Sequence, residues 1–159
     1  MSADKNPPKL KKRSRVGELS NDIEKHPDFI KIEKFAFEKF GLAAMSHRHG
    51  VFGMQQPLPP IVKYGLTFLF VQSEFGLCCP LSMTDSLTRT LTKFGDKKLI
   101  EKFFDQLTSQ DLDHLFQGAM FMTEQHAGSD VGSIDTYAEY EDGNWFLTGD
   151  KWFCSNPDA

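Results

Sequence analysis

The hydrophobic pattern of the chain changes its period near Gly118, and this change limits the possible fold more than any other feature. Before Gly118, apolar residues recur at steps of three and four, which is typical of helices packed on one face. From residue 134 to 140 they alternate, and Asp142-Gly143 forms a hairpin turn before a second strand from Trp145 to Thr148. Helices followed by consecutive strands predict an α+β fold rather than a parallel βαβ sheet.

We therefore divide the chain into three regions: a basic disordered arm at residues 1–19, a helical domain at 20–117 and the beginning of an antiparallel β-domain at 118–159. The chain ends soon after a third expected strand. An exposed strand edge invites aggregation. We accordingly expect a truncated product, or a partner that covers the edge.

Helix signals occur at regular intervals between residues 20 and 117. Pro27 suits the first turn of the first helix, which runs from Ser20 to Gly41, and Pro59-Pro60 precede the second. Asp85, Asp96 and Ser109 suit the caps of three more. The residues expected to face inward are Phe29, Ile32, Ala36 and Phe40, then Ile61, Tyr64, Phe68 and Val71 or Phe75, then Leu87, Leu91 and Phe94, then Leu99, Ile100, Phe103, Phe104 and Leu107, and finally Leu112, Leu115 and Phe116.

Two of these segments limit the architecture further. The second helix is apolar on nearly all sides, which predicts a central place in a helical bundle. The stretch from Leu42 to Pro60 is rich in Gly, Pro and His, and we expect a long connection that is either functional or poorly ordered.

Charge and cysteine content narrow the function classes. Six of the 18 basic residues lie in residues 1–15 with one acid, so the rest of the chain is acidic. The arm could contact nucleic acid weakly, whereas the body could not. No apolar run reaches the length of about 18 residues that spans a bilayer. Three cysteines, two of them the neighbours Cys78 and Cys79, provide no disulfide framework, which predicts a soluble, intracellular protein.

The run from Thr123 to Asp130 is the strongest candidate for a ligand site. Ala127 and Gly128 leave room for a ligand near the backbone, while Thr123 and Ser129 offer hydroxyl and amide donors. These residues alone also suit a plain turn between strands, such as one leaving a short strand from Ala119 to Met122.

A resemblance to a known family favours the ligand site over the plain turn. Met122-Thr123-Glu124 followed by Ala127-Gly128-Ser129-Asp130-Val131, and then Leu147-Thr148-Gly149-Asp150-Lys151-Trp152-Phe153-Cys154-Ser155-Asn156, resemble the paired flavin-binding signatures of the acyl-CoA dehydrogenase superfamily. Cys79 to Thr84 and the pair Trp152-Phe153 are more similar to the branch named for the bacterial adaptive response to alkylation damage. Gln125 and His126 depart from the proline and glycine that the family often has.

The resemblance implies that FAD is bound by two segments. Thr123 would reach the pyrimidine edge of the ring, Ser129 the pyrophosphate and Ser155 the cofactor from the second segment, while Phe153 would pack against the isoalloxazine. Trp152 is assigned to core or domain packing. The full set of implied cofactor residues is Met120, Phe121, Met122, Thr123, Glu124, Ala127, Gly128, Ser129, Phe153, Cys154 and Ser155.

The implied activity is α,β-dehydrogenation of an acyl thioester with hydride transfer to the flavin, on an acyl-CoA-like substrate, in a homo-oligomer at full length. The family's glutamate base lies in a carboxy-terminal helical domain and has no counterpart here, so we assign no catalytic residue and expect this chain alone to be inactive. We assign no metal either, because His47-Arg48-His49 is a poor ligand set. Two alternatives stay open: a DNA-associated flavoprotein of the alkylation-response branch, and a non-catalytic helical module that binds a partner.

Overall fold

A computed structural model describes residues 2–157 and has the α+β architecture predicted above, with helices and two small antiparallel sheets. The helices are α1 (Ser2–Lys5), α2 (Pro27–Lys34), α3 (Pro60–Val71), α4 (Cys78–Phe94) and α5 (Lys97–Leu107). The strands are β1 (Lys9–Arg13), β2 (Leu19–Glu24), β3 (Tyr137–Glu141) and β4 (Asn144–Thr148). The three-region division stays a prediction, and its outermost positions, 1, 158 and 159, lie outside the described residues.

The basic arm differs from the disordered segment that we expected, because β1 and β2 form an antiparallel hairpin. Lys9 lies opposite Glu24 and Lys11 opposite Asp22, and the Lys11 ammonium lies 2.9 Å from the Glu24 carboxylate. The acids that follow the arm therefore give its bases cross-strand partners, which stabilises pairing. This pairing also replaces the first turns of the helix that we expected to begin at Ser20.

The first long helix begins at Pro27, as its position in the sequence predicts. The His26 side chain accepts a hydrogen bond from the Asp28 amide and caps the helix. Phe29 and Ile32 pack against the core, and Ala36 is buried in the π-helical turn that continues α2. The predicted inward face is thus confirmed over these residues, although Phe40 at its end is exposed.

The centre of the core lies in the connection from Leu42 to Pro60, which we expected to be either functional or poorly ordered. Leu42, Ala43, Ala44 and Met45 are fully buried, together with Val51. They pack against side chains of the preceding helical turn and of the α4 region, namely Phe37, Leu77 and Leu81. The segment has little regular structure, yet it supplies about half of the buried cluster.

Helix α3 buries a different face from the one that its apolar residues predict. Lys63 is only 3% exposed, whereas Ile61 is 78% and Phe68 67% exposed. The prediction is wrong for Ile61, Tyr64 and Phe68, which are exposed. Of the two alternatives at the end of this face, Val71 is half-buried and Phe75 is exposed. Leu66 and Phe70, which share the Lys63 side, are the residues that pack against the core.

Helix α4 begins at Cys78 and runs through Asp85, so Asp85 is an interior residue of the helix and not its cap. Asp96 does cap α5, because its side chain accepts a hydrogen bond from the Leu99 amide 3.0 Å away. Ser109 accepts from the Asp111 amide, but only a turn follows it in the described chain. Among residues 2–157, no helix is long and apolar enough to cross a membrane.

Asp85 is buried because it joins three parts of the helical region. Its carboxylate lies 2.6 Å from the Lys63 ammonium and 2.7 Å from the His47 imidazole, and Arg89 lies 3.7 Å away at the surface. Burial on its own raises the pKa of Asp85, but the hydrogen bonds from His47 and Lys63 outweigh it and hold the pKa below its usual value. The ionised carboxylate therefore holds α4, α3 and the core connection together.

Replacing Asp85 should leave the Lys63 charge buried without a partner. We expect Asp85→Ala to lower the free energy of unfolding by roughly 3 to 5 kcal/mol, as measured by urea denaturation. Asp105→Asn, an exposed site on α5, is the matched control and should change stability by less than about 0.5 kcal/mol. An equally small loss in Asp85→Ala would show that the cluster does not hold the helices.

Candidate functional site

The structure brings the two predicted cofactor segments side by side. The Trp152 amide donates to the Thr123 carbonyl over 2.8 Å, and the Lys151 ammonium donates to the Met122 carbonyl over 3.2 Å. Further along, the Asn156 side chain donates to the Gly118 carbonyl over 3.3 Å. Residues 118–129 and 151–156 thus form one continuous surface, although they are well separated in sequence.

The first segment differs from the short strand that we expected from Ala119 to Met122, because these residues have no strand pairing in the described chain. It instead closes on itself through reciprocal backbone hydrogen bonds between Glu124 and Ala127, at 2.9 and 3.2 Å. Ala127 is fully buried under this turn. A methyl group at Gly128 would meet only the Thr123 methyl group, 3.8 Å away, so the surface beside Gly128 is open.

Glu124 is the polar centre of the site. One carboxylate oxygen accepts from the Lys151 ammonium at 2.7 Å and from the Thr136 hydroxyl and amide at 2.6 and 3.0 Å. The other accepts from the Asp135 amide at 2.7 Å. These bonds, that from Lys151 first, lower the pKa of Glu124 to about 2. A carboxylate so stabilised is a weak base, and its role here is to hold the two segments together.

The groups expected to face a ligand are free of such partners. Within residues 2–157, neither the amide nor the hydroxyl of Thr123 or Ser129 takes part in a hydrogen bond with another protein group. Ser129 is exposed and Thr123 is half-buried. The polar groups of the site therefore divide into those that close the structure and those that can still donate.

The two segments also carry an apolar rim, made of Met120, Phe121, Met122, Trp152 and Phe153. All five side chains are exposed, and Phe153 most of all at 80%. The rings of Trp152 and Phe153 meet edge to face with centroids 6.2 Å apart. The expectation that Trp152 packs in the core is therefore wrong, since its side chain is exposed, whereas its packing against a further domain stays a prediction.

The neighbouring side chains Cys154 and Ser155 are half-buried behind the apolar rim. The Cys154 thiol donates to the Lys151 carbonyl, and the Ser155 amide donates to the Phe153 carbonyl at 3.0 Å. These bonds fix the turn that presents Phe153, whose φ of 54° is unusual for a residue with a side chain.

Of the residues implied for the cofactor, only Glu124 lines a cleft of about 520 Å³ that opens beside the two segments, and the other walls of this cleft include Lys151, Trp152 and Tyr137. This volume is typical of small-molecule sites. An exposed apolar rim next to unpaired donors suits a flat aromatic ring with polar edges, so the residues present fit a flavin.

The same wall places one ligand atom each of Glu124, His126 and Asp135 within 4.8 Å of one another. The His126 imidazole lies 3.1 Å from the Asp135 carboxylate. Because the Lys151 ammonium already neutralises Glu124, a metal ion at this point would have to displace or repel that cation. His126 therefore links the loop to Asp135.

Sequence reasoning missed the residues that assemble the site. Lys151 and Asn156 lie within the quoted motif, but we had assigned no role to either. Thr136 was placed only as a strand position. None of the three carries a local signal for its partner, because each partner lies at least 12 residues away in the sequence.

Comparison with known proteins supports the family that the motifs resemble. The sequence model of the family described as "Adaptive response protein AidB N-terminal domain" matches residues 1–114. The chain is 37% identical over 116 residues to Acyl-CoA dehydrogenase family member 11 of Caenorhabditis elegans, covering 67% of this chain and 19% of that protein. It is 29% identical over 175 residues to the putative acyl-CoA dehydrogenase AidB of Escherichia coli K12, covering 99% of this chain and 30% of that protein.

A solved structure is also similar to this chain. The crystal structure of Caenorhabditis elegans ACDH-11 in complex with C11-CoA superposes with a TM-score of 0.75 at 28% identity, covering 96% of this chain and 26% of that one. The chain thus spans less than a third of the length of these relatives. The family model ends before the two cofactor segments, so the site rests on its own geometry and motifs.

The low pKa of Glu124 predicts a specific acid sensitivity. The folded pKa of about 2 lies below the ordinary 4.5, so the stabilisation is complete above pH 4.5 and is lost as the pH falls towards 2. We expect Glu124→Gln to be less stable than the native chain at neutral pH, with the difference shrinking through this window in urea denaturation.

The matched control is Glu139→Gln, an exposed carboxylate on β3. Its stability relative to the native chain should stay nearly constant through the same pH series. A Glu124→Gln difference that is equally constant would contradict the assignment of Glu124 as the ionised centre of the site.

Proposed function

We propose that this chain, which belongs to the family of the Adaptive response protein AidB N-terminal domain, supplies FAD-contacting segments to an acyl-CoA dehydrogenase-type oxidoreductase. The observation that carries the proposal is the backbone hydrogen bond of 2.8 Å from Trp152 to Thr123. It joins the two motifs that would have to hold one cofactor, although 28 residues lie between Thr123 and Trp152.

The polar contacts in this proposal come from the first segment. Thr123 would donate its amide and hydroxyl to the pyrimidine edge of the ring, and Ser129 would donate to the pyrophosphate. Both residues have donors that are unused within the described chain. Ala127 and Gly128, which lie between them, add no bulk that would keep a ligand from the backbone.

The apolar contacts would come from both segments. Phe153 would pack against the isoalloxazine from one side, and Met120, Phe121 and Met122 would line it from the other. Ser155 would donate from behind the apolar rim, with Cys154 holding the turn. Exposure of these apolar side chains is costly in water, and a bound ring would offset that cost.

When bound, FAD supplies an electron sink that takes up hydride from the β-carbon of an acyl thioester. Glu124, with its low pKa, is unsuited to remove the α-proton that leaves in the same reaction. We therefore place the proton acceptor in a part of the full-length protein that this chain does not contain. The substrate that we propose is an acyl-CoA thioester, since a structural relative was solved with C11-CoA.

Other assignments have less support. Contact between nucleic acid and the arm stays a prediction, but the acids opposite Lys9 and Lys11 reduce the positive charge that phosphate would meet. A non-catalytic helical module and a homo-oligomer at full length also stay predictions.

The test is a titration of the full chain with FAD, in which the quenching of flavin fluorescence measures binding. Gly128→Leu places a side chain in the open space beside Thr123, so the protein should tolerate it while a ligand could no longer approach. We expect FAD affinity to fall by at least about tenfold, which is about 1.4 kcal/mol.

Gly65→Ala on α3 is the matched control, because its added methyl group also meets open space but lies away from the two segments. Its FAD affinity should equal that of the native chain. The proposal fails if the native chain leaves the flavin signal unchanged, or if Gly128→Leu binds FAD as tightly as the control.

A further inference from the structure

Gly118, at the start of the first cofactor segment, is pressed against helix α4. Its amide donates to the Thr84 hydroxyl over 2.9 Å, and that hydroxyl donates to the Pro80 carbonyl over 2.7 Å. Thr84 is fully buried. A methyl group at Gly118 would lie 2.6 Å from the Met83 carbonyl oxygen, so only glycine permits this approach.

The other side of the same residue is tied to the second cofactor segment. The Asn156 side-chain amide donates to the Gly118 carbonyl at 3.3 Å and to the Gln117 side-chain oxygen at 3.2 Å. Asn156 has a φ of 60°, a conformation that asparagine tolerates better than most residues. Gly118 therefore links helix α4 to the second segment through its amide and its carbonyl.

Helix α4 is itself a fixed reference. Asp85, the residue next to Thr84, is held by Lys63 and His47 in the buried ionic cluster. The segment from Gly118 to Thr123 has no regular structure of its own. Its position consequently depends on bonds near its two ends. These bonds join Gly118 to Thr84 and Asn156, Met122 to Lys151, and Thr123 to Trp152.

We infer that Thr84 and Asn156 are positioning residues for the cofactor, acting through Gly118 to hold the first segment in place against the second. The inference rests on the proposed function. Neither side chain belongs to the apolar rim or to the free donors. They act by keeping Thr123, Ser129 and the rim turned towards one ligand.

The comparison with Thr88 separates this role from ordinary helix packing. Thr88 lies one turn further along α4, is equally buried, and donates to the Thr84 carbonyl over 2.8 Å within the helix. Within residues 2–157 its hydroxyl makes no hydrogen bond to the loops. Thr88→Val is therefore a matched control for Thr84→Val.

The test is FAD titration of the full chain, with the native chain and each variant compared at equal fractions folded. Thr84→Val leaves the Gly118 amide buried without an acceptor, and we expect FAD affinity to fall by about tenfold. Thr84→Ser keeps the hydroxyl and should restore affinity to within about twofold of the native chain, as should Thr88→Val.

Asn156→Gly gives a second, independent variant, because glycine suits the backbone at this position and the site is only partly buried. We expect weaker FAD binding and a shifted visible absorption band of the bound flavin. This variant decides the question if Thr84→Val does not fold. Failure of the native chain to bind FAD overturns the proposed function, whereas native binding together with unchanged affinity and spectrum in the folded variants overturns this inference alone.

Discussion

The buried ion pair between Asp85 and Lys63 is the interaction on which the rest of the structure depends. An ammonium and a carboxylate are stable in a protein interior only when each has a partner at hydrogen-bond distance. This requirement turns the Lys63 side of α3 inward and leaves the more apolar Phe68 at the surface. It also fixes α4, whose Thr84 then holds the beginning of the first cofactor segment.

Glu124 holds the loops together in the way that Asp85 holds the helices together. Residues 118–136 contain too little regular structure to organise themselves through backbone pairing alone. A single carboxylate instead gathers the Lys151 ammonium, the Thr136 hydroxyl and two backbone amides. Because these groups are committed to one another, Thr123 and Ser129 remain free to donate elsewhere. Structural polar groups and ligand-facing polar groups are thus separated within one small region.

Two independent arguments lead to the family assignment. The family model matches the helical part, over residues 1–114, and stops before the loops. The loops carry the flavin-type motifs, and the structure places these motifs in contact through Trp152 and Thr123. Neither argument uses the residues of the other. Their agreement is the reason to treat the helical part and the loops as one functional unit.

The sequence by itself determined the features that depend only on residues close to one another along the chain. The change of period near Gly118 predicted an α+β chain, Asp96 predicted the start of α5, and Asp142-Gly143 predicted the β3–β4 turn. The two motifs that resemble flavin-binding signatures could also be read from the sequence, and their role in binding a cofactor stays a prediction. Only the tertiary structure decided where distant residues meet, since a buried charge is placed by its partner and not by its own hydropathy. For that reason Asp85 lies in the interior of α4 and is not a cap. For the same reason the basic arm pairs with the acidic residues that follow it and forms a hairpin.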